Sequence, residues 1–301
     1  MKPEAAIIIL HWNNLPDTLA CIRSVKELDY APYRIVVVDN GSTDDSNTAI
    51  AAQHPDVTLL RTGDNLGYVG GNNLGIQHAL DAGCDYVWLL NDDITVDPQS
   101  LTALMNVALA KPNSGFLGPK VYCREDPHRF LSAGCLLLDG WQPQHRGIGE
   151  IDEGQFDDDS EVDYLSGCAL LVSRKAVETI GLLDGDYFAY CEDTDWCFRG
   201  TQAGFSVLFV PNAKVWHPDT RSRDVDSPLV TYYISRNYLL FLTKHRFGAT
   251  LEIRTFILYL VRVMNWSVRP KWRHKTRQRN ALMQALIDFS RGRFGRATGL
   301  D

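Results

Sequence analysis

The sequence predicts an α/β fold, with a mostly parallel central sheet flanked by helices and a helical C-terminal extension. Three observations support this prediction. Strand-like and helix-like segments alternate through the first 120 residues. Residues 33–38 and 86–90 are runs of mostly apolar side chains, which is typical of parallel strands buried on both faces. The last 65 residues instead show helical spacing with aromatic and basic faces.

The individual elements follow from local patterns. Strands are predicted at residues 5–10, 33–38, 57–60, 86–90, 164–173 and 206–210, and helices at 16–28, 42–53, 72–82, 176–181 and 193–203. Residues 136–140 are typical of a hairpin arm, and residues 150–163, with eight acids and no basic residue, predict a solvated loop. Strand–helix–strand alternation implies parallel strands with helices on both faces of the sheet.

Bulk composition indicates a globular protein. The chain has 301 residues, of which 45% are hydrophobic and 22% charged, enough for one large domain or two. Its seven cysteines are an odd, scattered set without a CxxC motif, so we expect reduced, mostly buried thiols. We expect no secretory signal, and no spanning helix because no apolar stretch reaches about 18 residues.

Charge is unevenly distributed along the chain. The net charge is −7, but residues 235–301 carry 14 Lys and Arg against 3 Asp and Glu. This basic tail includes Trp266 and Trp272 and would suit the surface of an anionic membrane. A helical lid packed on the rest of the chain and a dimer contact are the alternatives. A nucleic-acid partner is not expected, because the tail lacks a recognised motif and the remainder is acidic.

Two acids follow the apolar run at residues 86–90, in the sequence Asn91-Asp92-Asp93. Unpaired carboxylates are costly inside a buried strand but tolerable where the strand leaves the sheet, which is where α/β folds bind ligands. They could hold a divalent cation, which in turn could hold a diphosphate. Capping of the following helix is the alternative, although Asp97 before Pro98 is the better candidate for that N-cap.

Other polar residues have two interpretations each. Asp39 could accept a hydrogen bond from a base or ribose, or could form an Asp-Asn-Gly turn. The Gly-rich run at residues 65–73 could approach a ligand closely or form an ordinary capped loop. The first strand-to-helix turn, residues 11–14, lacks a Gly-rich phosphate loop, which counts against a dinucleotide site.

A third acidic group lies further along the chain. Glu192, Asp193 and Asp195 stand next to Trp196. Either the first turn of a helix is being capped, or one carboxyl with a raised pKa acts as a general base. His217, which follows a predicted strand, is either a packed residue or a further metal ligand.

Taken in order, these motifs resemble a known family. The set is Trp12-Asn13, the run 38–44, Asn65-Leu66-Gly67, the run 70–73, Asn91-Asp92-Asp93, the run 166–169, the run 192–196 and Trp216-His217. It is similar to the inverting family 2 glycosyltransferases of the GT-A fold, which has a Rossmann-like sheet. Within them it looks most like bacterial rhamnosyltransferase-like and galactofuranosyltransferase-like enzymes. The resemblance spans roughly residues 5–245.

The resemblance implies roles for individual residues. Asp193, in the Glu192-Asp193 pair, would be the catalytic base, and Asp93 with His217 would bind the metal. Nucleotide-sugar contacts are implied for Trp12, Asn13, Asp39, Asn40, Gly67, Gly71, Asn72 and Asp92, with Asp39 at the nucleobase and Asp92 at the ribose or diphosphate. Acceptor contacts are implied for Ser166, Gly167 and Trp196. One departure is Asn91, which stands where the DxD motif has its first acid and removes one anionic ligand.

The implied function is metal-dependent sugar transfer with Mg²⁺ or Mn²⁺. A hexose such as rhamnose or galactofuranose would pass from a nucleotide-diphosphate donor to a glycan or lipid-linked acceptor in cell-surface polysaccharide synthesis. The alternative is a catalytically silent nucleotide-sugar-binding protein.

The implied organisation has two parts. The catalytic domain would be residues 1–245, with a nucleotide-binding half (1–120) and an acceptor half (121–245), and residues 246–301 would form a basic helical extension. We expect a cytoplasmic protein, peripheral on the inner face of the cytoplasmic membrane, with the oligomeric state left open.

Overall fold

The computed structural model describes residues 2–138, 141–219 and 227–299. The chain divides into two compact units. The first unit is Met1–Leu183 with Trp196–Asp219, and the second unit is Asp184–Asp195 with Thr220–Asp301. The functional division at residue 245 remains a prediction.

The secondary structure is as follows. The strands are β1 (Ala5–His11), β2 (Tyr33–Asp39), β3 (Thr58–Arg61), β4 (Tyr86–Asn91), β5 (Thr95–Val96), β6 (Ser114–Cys123), β7 (Phe130–Ser132), β8 (Cys135–Leu138), β9 (Gln142–His145), β10 (Ser160–Glu161), β11 (Ala169–Ser173) and β12 (Ser206–His217). The helices are α1 (Leu15–Lys26), α2 (Ser46–Gln53), α3 (Gly67–Asp81), α4 (Ser100–Ala110), α5 (Arg174–Ile180), α6 (Glu192–Gln202), α7 (Pro228–Lys244), α8 (Ala249–Val268) and α9 (Thr276–Ser290), with a 3₁₀ helix at Pro270–Lys275.

The first unit is built on a mixed sheet. Among the described residues its strand order is β10-β12-β6-β11-β4-β1-β2-β3, with β5 paired to β12 and β7 to β6. Strands β4, β1, β2 and β3 run parallel, whereas β11 is antiparallel to both of its neighbours. The predicted α/β fold with a mostly parallel sheet and flanking helices is therefore confirmed. The hairpin predicted near residue 138 is the β8–β9 pair, with residues 139–140 outside the described part.

Burial explains why the central strands are apolar throughout. Ile7 and Ile9 in β1 and Trp88 in β4 are fully buried, in one cluster with Ile22 and Val25 of α1. A strand covered on both faces has no solvent side to require polar residues, so its sequence does not alternate.

Helix α3 begins at Gly67, five residues before the predicted start at residue 72. Its glycines are not loop signals but packing residues. A Cβ at Gly71 would lie 2.3 Å from Leu10 Cδ1, and one at Gly75 would lie 2.6 Å from Ile8 Cγ2. The helix therefore packs directly on β1, at a distance that only glycine allows.

We expect Gly75→Ala to lower the free energy of unfolding by about 2 kcal/mol, because the added methyl group overlaps Cγ2 of the fully buried Ile8. Urea denaturation followed by circular dichroism measures this loss. The control is Gly185→Ala, where a Cβ meets no atom within 4 Å. Equal stability of the two variants would contradict the close packing of α3.

Two further predictions about helix starts were wrong. Helix α2 begins at Ser46 rather than residue 42, because the backbone N–H groups of Ser42 and Thr43 donate to the side chains of Asp39 and Asn13 in a turn. Asp97 is not the N-cap of α4, which begins at Ser100. Its Oδ1 accepts from the Gln99 N–H instead, in a turn that precedes the helix.

The second unit contains α7, the α8 and α9 helices and the 3₁₀ helix between them, which confirms the helical prediction for the tail. Its core includes Tyr232 and Tyr233 of α7 and Ala281 and Ala285 of α9. Within residues 2–138, 141–219 and 227–299, none of the helices combines the length and hydropathy that a bilayer crossing requires.

Candidate active site

The polar residues predicted from strand ends meet at one edge of the sheet in the first unit. His11 at the end of β1 pairs with Asp39 at the end of β2, and Leu10 pairs with Asn91 at the end of β4. Because these strands are parallel, their carboxyl ends share one edge, where ligands bind in open α/β sheets. Asp92 and Asp93 follow at this edge.

Asp92 is anchored by two side chains of the neighbouring elements. Its Oδ2 accepts from Thr18 Oγ1 of α1 at 3.3 Å and lies 3.6 Å from His11 Nδ1. Burial raises the pKa of Asp92, an effect that His11 partly opposes and the charge of Asp93 increases. The carboxyl group is thus fixed in place and sensitive to nearby charge.

Asp93 and His217 form a pair. Asp93 Oδ1 lies 3.3 Å from His217 Nε2, and His217 Nδ1 lies 2.7 Å from the carbonyl oxygen of Pro218, which orients the ring. Burial disfavours the charged form of each side chain, but the hydrogen bond and the opposite charge of its partner outweigh the effect of burial. The pKa of Asp93 is therefore below its usual range and that of His217 is raised.

Strand β12 brings His217 to this edge. Its end pairs with β5, with Val215 opposite Val96 and Trp216 opposite Thr95, immediately after the acids. Asn91 Nδ2 lies 3.4 Å from His217 Nε2, so the residue that replaces an acid in the DxD motif faces the same imidazole. Within the described residues, no three His, Cys, Asp or Glu side chains form a metal cage.

Asp39 is almost completely buried and already has partners. Its Oδ1 accepts from the Ser42 N–H at 2.9 Å, and its Oδ2 accepts from Asn47 Nδ2 at 2.6 Å. These contacts show that the Asp-Asn-Gly turn is formed. A carboxylate has about four lone-pair positions, so a ligand contact remains compatible with them.

Asn40 holds the start of α3. Its side chain donates to the carbonyl oxygen of Gly67 at 3.0 Å and accepts from the Leu66 N–H at 3.0 Å. Asn72 is buried, and its Oδ1 has no hydrogen-bond partner in the described part of the chain. Gly67 has a φ of 73°, which glycine adopts without strain.

Trp12 and Asn13 lie in the turn after β1. Trp12 is 52% exposed, whereas Asn13 accepts from the Thr43 N–H at 2.9 Å and has a left-handed φ of 51°. The indole is therefore available to a planar ligand, and the asparagine shapes the turn that presents it.

The residues predicted to contact an acceptor differ in accessibility. The carbonyl oxygen of Gly167 accepts from Tyr68 Oη at 2.6 Å, and Ser166 precedes it. Trp196 is fully buried, donates to the carbonyl oxygen of Gly181 at 2.9 Å and packs against Phe116. A side chain in that position fills the core, and contact of Trp196 with an acceptor remains a prediction.

Glu192 and Asp193 begin α6 in the second unit. Asp193 Oδ1 accepts from the Thr194 N–H at 2.6 Å. Glu192 is buried, and its Oε2 has no hydrogen-bond partner among the described residues. Burial, with repulsion from Asp193, raises the pKa of Glu192 well above its usual range, which favours its neutral form. The role of Asp193 as the base, which the resemblance implies, remains a prediction.

Sequence reasoning missed two residues that contact the segment before this pair. Arg236 and Asn237 of α7 are fully buried and donate to backbone carbonyls of residues 186–190. The available signal was an adjacent Arg and Asn in a mostly apolar and aromatic stretch, residues 232–242. Buried polar side chains of this kind require partners.

Asp195 is the centre of a buried charge cluster in the second unit. Its fully buried carboxylate lies 2.7 Å from Lys244 Nζ and 2.8 Å from His245 Nε2, and accepts from Tyr187 Oη at 3.1 Å. Asp184 also contacts Lys244, at 2.6 Å. Asp195 is therefore structural, and it joins the start of α6 to the end of α7.

We expect Asp195→Ala to destabilise the protein by about 3 kcal/mol, since it removes the buried partner of two basic side chains. Asp184→Ala is the matched control. Its carboxylate is partly exposed, so its loss should cost less than about 1 kcal/mol. Chemical denaturation measures both, and a smaller effect at Asp195 than at Asp184 would contradict this arrangement.

The model of the family described as Glycosyl transferase family 2 matches residues 6–181, more than half of the chain. The chain belongs to this family and is a glycosyltransferase. Comparison with solved structures gives glycosyltransferases of the same fold. The mannosyltransferase PcManGT from Pyrobaculum calidifontis, solved with GDP-Man and Mn²⁺, has a TM-score of 0.60 at 15% identity and covers 96% of this chain and 88% of its own. The fold is of the GT-A type.

Rhamnosyltransferases are among its relatives. The chain is 33% identical to the N-acetylglucosaminyl-diphospho-decaprenol L-rhamnosyltransferase of Mycobacterium tuberculosis, over 71% of this chain and 76% of that protein. It is 26% identical to the dTDP-rhamnosyl transferase RfbF of Shigella flexneri, over 85% of each. The resemblance to rhamnosyltransferase-like members is confirmed.

Proposed function

We propose that this protein transfers L-rhamnose from dTDP-rhamnose to a lipid-linked glycan, with inversion at the anomeric carbon. The observation that carries the proposal is the Asp93–His217 pair beside Asp92, at the carboxyl edge of the parallel strands. The names of the two relatives support the donor sugar and the lipid-linked acceptor.

A divalent metal fits the residues at this edge. Asp93 Oδ1 is buried without a well-aligned hydrogen bond in the described part of the chain, and His217 Nε2 faces it at 3.3 Å. Mg²⁺ and Mn²⁺ are bound in many sites by one or two protein ligands, with substrate phosphates and water completing the shell. We propose Asp93 and His217 as the protein ligands. When bound, the metal would neutralise charge on the departing diphosphate.

Residues of the first unit would hold the rest of the donor. Trp12 would stack on the base, Asp39 would accept from the base and Asp92 would accept from the ribose. Asn13, Asn40, Gly67, Gly71 and Asn72 would act by shaping the turn after β1 and the start of α3, where backbone N–H groups favour an anion. Ser166 and Gly167 would contact the acceptor.

Asp193 would supply the base of the reaction. It would take the proton from the acceptor hydroxyl as the oxygen forms a bond to the anomeric carbon and the bond to the diphosphate breaks. This single displacement inverts the configuration. Glu192, whose pKa is raised by burial, would remain neutral beside it.

The acceptor also suggests a place of action. A polyprenol-linked glycan is confined to a membrane, so we propose that the enzyme works at the inner face of the cytoplasmic membrane, in cell-surface polysaccharide synthesis. The relative from Mycobacterium tuberculosis, whose name contains a decaprenol acceptor, supports this place.

Thermal shift against a panel of nucleotide-sugars, with and without Mn²⁺, tests the donor. A saturating donor should raise the melting temperature by roughly 5 °C through mass action. We expect dTDP-rhamnose with Mn²⁺ to give the largest rise. A larger rise with UDP-galactofuranose or a GDP-hexose would overturn the donor, and equal rises with and without Mn²⁺ would overturn the metal.

A further inference from the structure

Helix α8 presents an apolar stripe to solvent. Within α8, all of which is described, Thr255 alone is buried. Apart from Leu258, which points away from this stripe, the exposed large apolar residues are Ile253, Ile257, Leu260, Val261, Met264 and Val268. Their spacing of three and four residues places them on one face. Met264 is 57% exposed and Val268 is 74% exposed, which is unusual for large apolar side chains on one continuous face.

Basic residues flank this stripe. In the sequence from residue 249 to 279, Glu252 is the only acid against eight Lys and Arg. Arg254, Arg262 and Arg269 are on α8 or directly after it, and the other five follow in the 3₁₀ helix and the start of α9. The rest of the chain is acidic, so this cationic region is a local feature rather than a general property.

Two tryptophans lie among these cations. Arg262 lies over the Trp266 ring at 5.9 Å, and Lys271 lies over the Trp272 ring at 5.1 Å. With Arg269 they line a groove of about 430 Å³. Indoles next to Lys and Arg are typical of the membrane interface, where the ring lies at the headgroup level.

We propose that the exposed face of α8, with the basic segment 269–279, is a docking surface for anionic phospholipid. The apolar stripe would enter the boundary between headgroups and acyl chains, and the cations would contact lipid phosphates. A second copy of the chain is a poorer occupant, because a two-fold contact through this face would bring two sets of like charges together.

This surface would give the lipid-linked acceptor of the proposed function its access to the enzyme. Vesicle binding is measured without any sugar donor. Its failure would therefore leave the transfer proposal standing, and a failure of sugar transfer would leave vesicle binding intact.

The test is flotation of the full chain with vesicles of phosphatidylcholine alone or mixed with phosphatidylglycerol. We expect binding to the mixed vesicles only, weakened by salt. The variant I257E/M264E should reduce the partition coefficient by at least about tenfold. The control L109E/I148E makes the same charge change at exposed apolar residues of the first unit and should bind like the parent.

Three results would overturn the proposal. In the first, the parent does not float with anionic vesicles. In the second, I257E/M264E and L109E/I148E lose vesicle binding equally. In the third, I257E/M264E binds vesicles as well as the parent does. Light scattering after size-exclusion chromatography measures the oligomeric state, and so tests whether a second copy of the chain covers this face instead. A dimeric parent that becomes monomeric in I257E/M264E would assign the face to a second copy, whereas an unchanged oligomeric state supports the lipid surface.

Helix α7 carries a second, independent feature, a clamp on the segment before Glu192. Asn237 Nδ2 lies 2.8 Å from each of the carbonyl oxygens of Tyr187, Ala189 and Tyr190. Arg236 Nη2 donates to the carbonyl oxygens of Asp186 and Tyr187 at 3.2 and 3.3 Å. One helix face therefore fixes the backbone of the segment 186–190.

The clamped backbone is strained. Phe188, Tyr190 and Cys191 have left-handed φ angles of 62°, 68° and 70°. Residues other than glycine keep this backbone conformation only where their surroundings enforce it, and such strain is concentrated at functional sites. The strained run ends at the residue before Glu192.

We infer that Asn237 is a positioning residue for the Asp193 base. It enforces the backbone from which α6 starts, and so sets the direction of the Asp193 carboxylate. This inference rests on the proposed role of Asp193, since a clamp on a residue without a role would affect stability alone.

Kinetics of Asn237→Ala separate positioning from folding. We expect kcat per folded molecule to fall by at least about tenfold and the pH profile of kcat to shift, with the donor Kd unchanged. Asn237→Ser keeps one donor and should recover part of the loss. Asn280→Ala, at an asparagine of α9 outside the clamp, is the matched control.

An unchanged kcat and pH profile in Asn237→Ala would overturn the positioning role, as would an equal loss in Asn280→Ala. A failure of the proposed function gives a different result, which Asp193→Asn detects. If Asp193→Asn retains transfer, the base assignment itself is wrong. If Asp193→Asn is inactive while Asn237→Ala is unimpaired, only the positioning role is wrong.

Discussion

Replacing Asp193 by Asn is expected to reduce sugar transfer by about 10³-fold, with donor binding unchanged. The amide keeps the size of the side chain and an oxygen that can accept from the Thr194 N–H, so the start of α6 is preserved. It cannot take a proton from the acceptor hydroxyl. Release of nucleoside diphosphate in the presence of acceptor measures kcat, and calorimetry with the donor and Mn²⁺ measures binding.

Glu192→Gln is the matched control for this substitution. Burial and the neighbouring charge raise the pKa of Glu192, which favours the neutral form of the parent side chain, and an amide resembles that form. We expect kcat to change by less than about tenfold. A larger loss at Glu192 than at Asp193 would reverse the assignment of the base within the pair.

Replacing Asp93 by Ala is expected to weaken donor binding in Mn²⁺ by at least about tenfold. His217 would remain as the single protein ligand, because within the described residues no third acid, Cys or His joins the pair. Binding in the presence of a chelator should be the same in the variant and the parent. Calorimetry under both conditions gives the comparison.

Asp56→Ala provides the control for the lost charge, since Asp56 is an exposed carboxylate paired with Lys26. It should bind the donor like the parent with and without metal. If the parent itself binds the donor equally well with and without metal, the role of Asp93 as a ligand is wrong.

The parallel part of the sheet was predictable from sequence because its signal is local. Residues 33–38 and 86–90 are apolar runs, and both form buried strands. The acids that follow them had to lie at a strand end, since burial of unpaired charge is costly. The parallel pairing of β1 with β2 and with β4 then brings Asp39 and Asp92 to one edge of the sheet.

Features that depend on tertiary pairing were not predictable. Strand β12 was predicted to end at residue 210 but continues to His217, because it pairs with β6 and then with β5. Only that pairing brings the imidazole to Asp93. The start of α3 was predicted too late for a similar reason. Its glycines allow the helix to pack closely on β1, and they do not form a loop.

Burial also changed the interpretation of the acidic cluster at the start of α6. Spacing alone did not decide between helix capping and a general base, and only the family resemblance implied Asp193 as the base. The structure separates the three acids, because Asp195 is paired with Lys244 and His245 and Glu192 is buried with a raised pKa. The remaining acid, Asp193, is the one proposed to act on the acceptor.

The most direct test of sugar transfer is the release of nucleoside diphosphate from a panel of nucleotide-sugars by the purified protein. The assay contains Mn²⁺ and a polyprenol-diphosphate-linked N-acetylglucosamine acceptor, and compares the parent with Asp193→Asn. We predict release from dTDP-rhamnose that requires both the acceptor and Asp193, with an inverted anomeric centre in the product. Binding of a donor without turnover of any member of the panel would contradict this, and would indicate a silent nucleotide-sugar-binding protein.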